Sequence, residues 1–289
     1  MLPKLNCLMP IITLTSDIGQ QDYFVGAIKG QLLQVNPQFN IVDISHQLLP
    51  YNVLQAAFTV KAVLAHFPAG TLHLVLVGLF EKQPDHLLLV QHQDQYIGCA
   101  NNGIINMILE DVPHKVVAIN LPEHQPKTAI GCITAWAKAF HQLNNGASWT
   151  QLGNTDVPVA ITHPLRPSAR HDSVDAQVLY IDNFENVILN ITQEEFELQR
   201  RGRKFKIVVR RDEFIEKISE NYADVPDGEK LALFNAAGYL EIALKKGNAA
   251  SLMGFQMYVS PEGKANKNAQ SKLHYSSIKI FFEDTATPG

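Results

Sequence analysis

Two hydrophobic periodicities divide the chain. Through its first half, short apolar runs alternate with segments whose apolar residues recur every three or four positions, the signature of strands joined by amphipathic helices. Ile11 to Thr15 and Asn40 to Ser45 read as strands, and between them Phe24, Ile28, Leu32 and Val35 share one helical face, predicting a βαβ unit. A second helix, Val53 to Phe67, runs into the turn signal Pro68-Ala69-Gly70, and the apolar stretch Thr71 to Phe80 predicts a central strand buried on both faces. Leu87 to Gln91 and Gln95 to Cys99 predict a hairpin or paired strands. A helix from Asn102, a strand from Val116 to Asn120 and a helix from Thr128 to Leu143 complete a predicted α/β domain. Gly26 and Gly30, four residues apart, predict a small-residue stripe where the first helix approaches a neighbour; the alternative is that they only weaken it.

From Asn144 to Asp175 the periodicity lapses, and Pro158, Pro164 and Pro167 appear among glycines and polar residues, the composition of a linker or long crossover. The boundary is placed near residue 168, so that an α/β domain over 1–168 precedes a smaller all-β domain over 169–289. In the second part strands are predicted at Ala176 to Ile181, Asn186 to Ile191, Phe205 to Arg210, Lys230 to Asn235, Leu240 to Leu244 and Phe255 to Val259, with one helix at Gln193 to Arg201. That pattern suits a small β-barrel or sandwich. Gly263 to Leu273 is polar and reads as an exposed excursion before a last strand, Ile278 to Phe282.

Composition narrows the function classes. With 289 residues, 46% hydrophobic and 18% charged, the chain is long enough and apolar enough for a sizeable core. A net charge of -4 argues against a general binder of nucleic acid or of anionic membranes, both of which select for clustered Lys and Arg. Cys7, Cys99 and Cys132 are odd in number and widely spaced, which predicts neither a disulfide framework nor a metal site and suits a reducing, cytoplasmic location. The opening MLPKLNCLMPII is broken by Pro3, Asn6 and Pro10 and forms no continuous signal-like run, and no stretch is long enough to span a membrane.

Common catalytic signatures are absent, and the eleven histidines are scattered. Three polar turns remain: TSDIGQQD, NNG at Asn101 to Gly103, and IDNFENVILNI. The first puts an acid, Asp17, at the carboxyl end of a strand beside Gly19, suited either to a sugar hydroxyl or to a helix N-cap. The last sets an acid with Phe184 and Asn186 on a bend between strands, suited to stacking on and reading a purine, or simply to a β-turn.

Taken in order, TLTSDIGQQDYFVGAIKG, NPQFNIVDISHQLLPYNVLQAAF, HFPAGTLH, NNGIINMIL, IDNFENVILNI, NYADV and GYLEIALKKGNAAS closely resemble the S-adenosylmethionine hydroxide adenosyltransferase family, which includes the fluorinase and chlorinase. The resemblance implies an N-terminal α/β domain, a C-terminal β-barrel and a homotrimer whose ligand lies between the N-domain of one subunit and the C-domain of the next. It implies that water or a halide attacks the 5' carbon of S-adenosylmethionine, that methionine leaves, and that no metal or further cofactor takes part. The sulfonium is already a good leaving group, so such a protein mainly aligns a nucleophile and excludes competing water.

Carried over by position, the resemblance implies that Asp17 holds the ribose hydroxyls, Asp22 faces the methionine ammonium and Tyr51 lies beside the ribose. Phe184 and Asn186 would contact adenine, Tyr222 would stack on it, and Asn248 and Ala249 would meet its edge. The reacting centre departs from the family pattern. Gly78 stands where an Asp is expected, Asp85 and His86 where arginines are expected, and Ile130 where a His is expected. Ala236-Ala237-Gly238 replaces the Ser-x-Gly at the methionine end. Glu81, Asp85 and His86 are candidates for a replacement site, although a solvated turn is the favoured reading of EKQPDH. Cys132 is expected to be buried in a helix rather than nucleophilic. Three readings stay open: a hydrolase of S-adenosylmethionine, a non-catalytic adenosine or S-adenosylmethionine binder, and an enzyme acting on another adenosyl substrate.

Overall fold

A computed structural model describes residues 9–80, 86–121, 127–162, 165–255 and 276–283. The chain divides into two compact units, Met1–Pro164 and Leu165–Gly289. The first is α/β and the second is a nearly closed antiparallel barrel, the architecture expected from the two periodicities.

The first unit contains β1 (Ile11–Ser16), α1 (Phe24–Val35), β2 (Asn40–Ser45), α2 (Val53–Leu64), β3 (Leu72–Leu76), β4 (His86–His92), β5 (Gln95–Cys99), α3 (Ile104–Leu109), β6 (Lys115–Asn120), α4 (Ala129–Asn144) and α5 (Trp149–Leu152). Its six strands lie in the order β2-β1-β3-β5-β4-β6. β1 runs parallel to β2 and β3, and β3 to β5, whereas β4 is antiparallel to both of its neighbours. The predicted strand at 71–80 is interior, as expected, but shorter, because the backbone turns at Gly78 with φ +65°.

The parallel crossovers β1-α1-β2 and β2-α2-β3 run in opposite directions across the sheet, and helices cover both faces. On one face Ile12, Leu14, Leu72 and Leu74 pack with Ile28 and Leu32 of α1 and with Trp136 and Phe140 of α4. On the other, Val75, Val77, Leu88 and Val90 pack with Ala56 and Val60 of α2 and with Ile104 and Ile108 of α3. A sheet covered twice needs apolar residues at successive positions, which explains the continuous run HLVLV. Trp136 fits closely because Gly98 has no side chain: a Cβ there would lie 2.7 Å from Leu74 Cδ2 and 3.0 Å from the indole. The expected glycine stripe does not form within this unit. Gly26 and Gly30 are exposed, and a Cβ at either would meet nothing within 4 Å.

The second unit contains β7 (Ser168–Ala169), β8 (Ser173–Ile181), β9 (Val187–Thr192), α6 (Gln193–Arg200), β10 (Lys204–Arg210), β11 (Glu213–Ile215), a 3-10 turn (Tyr222–Asp224), β12 (Lys230–Phe234), β13 (Tyr239–Leu244), α7 (Ala249–Leu252) and β14 (Ser277–Glu283). The order is β11-β10-β14-β8-β9-β13-β12, with β7 paired to β8. The two ends approach through a bridge between Ile218 and Ala232, where Ser219 N donates to Ala232 O at 2.7 Å. Side chains alternating inward from these strands meet Phe196 of α6, which contacts Phe205, Phe234 and Phe282 edge-on. Residues 263–273 and most of the predicted strand 255–259 lie outside the described residues.

Candidate functional site

In an open parallel sheet, ligands gather beyond the carboxyl ends of the strands, at the point where successive connections leave in opposite directions. Here that point lies between β1 and β3. Asp17 follows β1 directly, and Gly78 comes two residues after β3. Asp17 is not the cap of α1, which begins seven residues later. Its Oδ2 instead accepts a 2.7 Å hydrogen bond from the backbone N–H of Tyr51, which holds Tyr51 at φ +62° with its ring 76% exposed. Asp22 takes the helix-entry role, its Oδ1 accepting from Phe24 N at 2.8 Å.

Beneath Asp17 lies a polar array that the sequence reading passed over. Ser16 Oγ pairs with His46 Nδ1 at 2.7 Å, both side chains being fully buried. His46 Nε2 lies 3.1 Å from Asp43 Oδ1, near enough for attraction though not aligned as a hydrogen bond, and Lys29 Nζ donates to Asp43 Oδ2 at 2.5 Å. Burial raises the Asp43 carboxyl, but Lys29 and His46 outweigh it and hold the group below its usual range. His46 O also accepts from Gly19 N at 2.7 Å. The loop carrying Asp17 is therefore stitched to β2 and α1.

The expected reacting centre has little ionisable chemistry among the described residues. Gly78 O accepts from Asn102 Nδ2 at 3.2 Å. Ile130 sits in the first turn of α4 and lines a cleft of about 550 Å³ with Gln31, Asn120, Thr128, Thr134 and Lys138; that cleft includes none of Asp17, Asp22, Tyr51 or Gly78. Glu81 and Asp85 lie outside the described residues. His86 opens β4, where its Nε2 lies 3.1 Å from Asn101 Nδ2. Asn101 is itself oriented, since it accepts from Ala160 N at 2.7 Å and donates to Pro158 O at 2.9 Å. Cys132 is buried in α4 as expected, and burial pushes its thiol up to about 11 and that of Cys99 up to about 12, far from a reactive thiolate at neutral pH. No group of three or more metal-ligating side chains occurs among the described residues.

In the second unit the five candidate residues gather around one hairpin. Asp182, at its start, accepts from Phe184 N and Asn186 N through Oδ1 and from Asn186 Nδ2 through Oδ2, each at 2.9 Å. These bonds close the turn, bury Asn186 and leave the Phe184 ring 75% exposed. Asn248 caps α7, its Oδ1 accepting from Ser251 N at 2.6 Å, and the next turn is tied to the hairpin by Ala250 N donating to Glu185 O at 2.9 Å. Ala249 is buried beside it. Tyr222 donates its hydroxyl to Glu241 Oε1 on β13, and Glu241 faces Ile188 of β9, next to the same hairpin. Ala236 and Ala237 occupy the turn before β13 and present no side-chain polar group there. The acid expected in the IDNFENVILNI bend is Asp182, whereas Glu241 was not singled out from sequence, where it reads as one acid in an apolar strand.

Comparison with known proteins agrees with this division. Residues 12–153 match the model of the S-adenosylmethionine hydroxide adenosyltransferase N-terminal domain, and residues 176–258 that of the C-terminal domain. The chain is 26% identical over 257 residues to the (R)-S-adenosyl-L-methionine hydrolase of Methanocaldococcus jannaschii, covering 85% of this chain and 92% of that one. The fluorinase of Nocardia brasiliensis is 26% identical over 283 residues, covering 86% and 93%. An uncharacterized conserved protein from Thermotoga maritima has the same fold, with a TM-score of 0.75 at 22% identity over 94% of this chain and 99% of that one. Among the described residues no helix is long and apolar enough to cross a membrane.

Proposed function

The chain belongs to the S-adenosylmethionine hydroxide adenosyltransferase family, and from that premise we propose that it binds an adenosine-containing ligand, S-adenosylmethionine being the first to test. The observation that carries this reading is Asp17 at the β1/β3 switch point, with one carboxylate oxygen anchored by the Tyr51 N–H. A carboxylate so held accepts hydrogen bonds from two vicinal ribose hydroxyls without first having to be ordered. Phe184 and Tyr222 supply exposed aromatic faces for the purine, with Asn186, Asn248 and Ala249 around the same hairpin. Asp22 remains the proposed contact for a methionine ammonium. No cofactor is needed, the working assembly is a homotrimer and the location is cytoplasmic; these parts of the proposal rest on the family resemblance and on cysteine usage.

If S-adenosylmethionine is cleaved, the oxygen of water bonds to the 5' carbon, the carbon–sulfur pair goes to methionine, and the proton leaves with solvent. Gly78 and Ile130 supply neither a base nor a charged partner, so the roughly 10²- to 10⁴-fold gain typical of positioned acid–base groups is forfeited at those positions. That observation favours a second reading, a protein that holds the adenosyl ligand without turnover.

The deciding experiment incubates the protein with S-adenosylmethionine in ¹⁸O water and follows products by mass spectrometry, with adenosine affinity measured by calorimetry in parallel. Slow release of 5'-labelled adenosine, abolished in Asp17→Ala, is the result expected of hydrolysis. Asp17→Asn keeps an oxygen for the Tyr51 N–H and loses only the charge; a tenfold or greater loss of adenosine affinity is expected, in line with about 1.5–3 kcal/mol for a charge-assisted bond. Affinity unchanged in Asp17→Asn removes the ribose assignment, and intact S-adenosylmethionine bound without turnover selects the second reading.

A further inference from the structure

Glu241 is a carboxylate in the wrong place for an ordinary strand residue. It lies on β13 with neighbours Leu240 and Ile242 in the same strand, is only 4% exposed, and faces Ile188 across the ladder. A buried carboxylate is costly unless it is hydrogen-bonded, so a specific partner is expected. The Tyr222 hydroxyl is one such partner, and the Asn235 side chain is another. Tyr222 belongs to a short 3-10 turn held by its own capping box, Asp224 Oδ2 accepting from Asn221 N at 3.4 Å, and further by Asn221 Oδ1 accepting from Ala223 N at 2.8 Å and Asp224 Oδ2 from Glu220 N at 2.7 Å. The turn is otherwise exposed, and the Tyr222 ring keeps 45% of its surface open to solvent. One end of the ring is thus fastened to the barrel wall while a face stays accessible.

We propose that Glu241 is a positioning residue for ligand recognition: by accepting the Tyr222 hydroxyl it fixes the plane of an exposed ring against which the purine stacks. The inference rests on the proposed adenosine reading and adds to it a residue that has no direct contact with the ligand. A ring on a surface turn samples several rotamers, and ordering it on binding costs affinity; a tether through its hydroxyl settles that cost in the free protein. The acceptor is strong because it is a carboxylate in a site of low polarity. Burial raises the Glu241 carboxyl, with the Tyr222 and Asn235 hydrogen bonds opposing the rise and Asp182 adding to it, and burial likewise raises the Tyr222 phenol, as a hydroxyl that gives its proton only to share it requires. The tether also ends beside the hairpin that exposes Phe184, so two aromatic faces are referred to one rigid ladder.

The test is a double-mutant cycle on adenosine affinity, read by calorimetry on the full-length protein with thermal midpoints recorded for each variant. Tyr222→Phe keeps the ring and removes the tether; Glu241→Leu removes the acceptor and replaces the charge with an apolar group of similar size. Each is expected to weaken adenosine binding about five- to twentyfold, and the double variant is expected to be no weaker than either single one. Glu241→Gln, which still offers an oxygen to the hydroxyl, is expected to stay within about threefold of the parent. Rescue by Gln together with non-additivity separates positioning from a general loss of packing. Should Glu241→Leu not fold, Tyr222→Phe and Glu241→Gln decide: parental affinity in Tyr222→Phe, or a loss in Glu241→Gln as large as in Tyr222→Phe, overturns the proposal. Strictly additive effects overturn it as well. Parental protein that binds no adenosine overturns the adenosine reading and this inference with it, whereas parental binding left unchanged by Glu241→Leu overturns the inference alone.

Discussion

At the scale of single residues, buried polar groups mark where the chain accepts a cost for position. His73, in the middle of β3, pairs with Thr13 Oγ1 at 2.8 Å and packs edge-on against Phe67. Burial lowers its pKa from the ordinary 6.5 to about 4, so the ring is neutral at pH 7. In the unfolded chain the ring regains its ordinary value, so between these limits the unfolded state binds more protons. The corresponding stability is complete above about pH 6.5 and is lost as the pH falls towards 4, a swing of roughly 3 kcal/mol. Urea denaturation at steps from pH 7 to pH 4 is expected to show this loss, and His73→Gln to flatten it; an equally steep profile in the variant assigns the effect to other groups. Asp17 shows the complementary case: its carboxylate is spent partly on the Tyr51 backbone, which is why Asp17→Asn tests ligand binding more cleanly than Asp17→Ala.

At the scale of elements, the fit of α4 to the sheet decides where the first unit is most sensitive. Trp136 is fully buried, donates Nε1–H to Leu88 O at 2.9 Å and occupies the space left by Gly98 on β5. Gly98→Ala forces the helix and sheet apart or drives Leu74 and Trp136 from their rotamers, costing about 1–3 kcal/mol. The expected result is a lower thermal midpoint with secondary structure retained by circular dichroism; an unchanged midpoint means the indole has room to move. Gly26 and Gly30 of α1 have open space where a Cβ would go, which marks the limit of reading small residues from spacing alone. Spacing gives the helical face that small residues share, but whether a neighbour stands there depends on which helices the sheet order places together.

At the scale of the whole molecule, the two units have separate cores: one apolar layer on each face of the mixed sheet and one inside the barrel. The proposed homotrimer follows from the family, and its test is direct. Sedimentation of the purified protein is expected to give a mass of about three times 32.2 kDa, independent of micromolar dilution, with a monomer mass removing that part of the proposal.

What the sequence determined by itself is whatever depends on neighbours within a few residues. A period of three to four against a period of two separates helix from strand, so the α/β half and the all-β half were both legible. The hairpin at Asp182 to Asn186 was visible for the same reason, because side-chain-to-backbone bonds over two to four residues leave a local pattern. Tertiary structure decided the remainder. The β2-β1-β3 order that puts Asp17 and Gly78 at one switch point joins strands separated by whole helices. The bridge from Ile218 to Ala232, the seating of His46 against Ser16, and the bond from Tyr222 to Glu241 are made by residues 14, 30 and 19 positions apart, pairings that folding selects from many alternatives. Glu241 shows the reason most clearly. In sequence it is one acid in GYLEIAL; only the closing of the barrel wall beside the Tyr222 turn makes it a buried acceptor for that ring's hydroxyl.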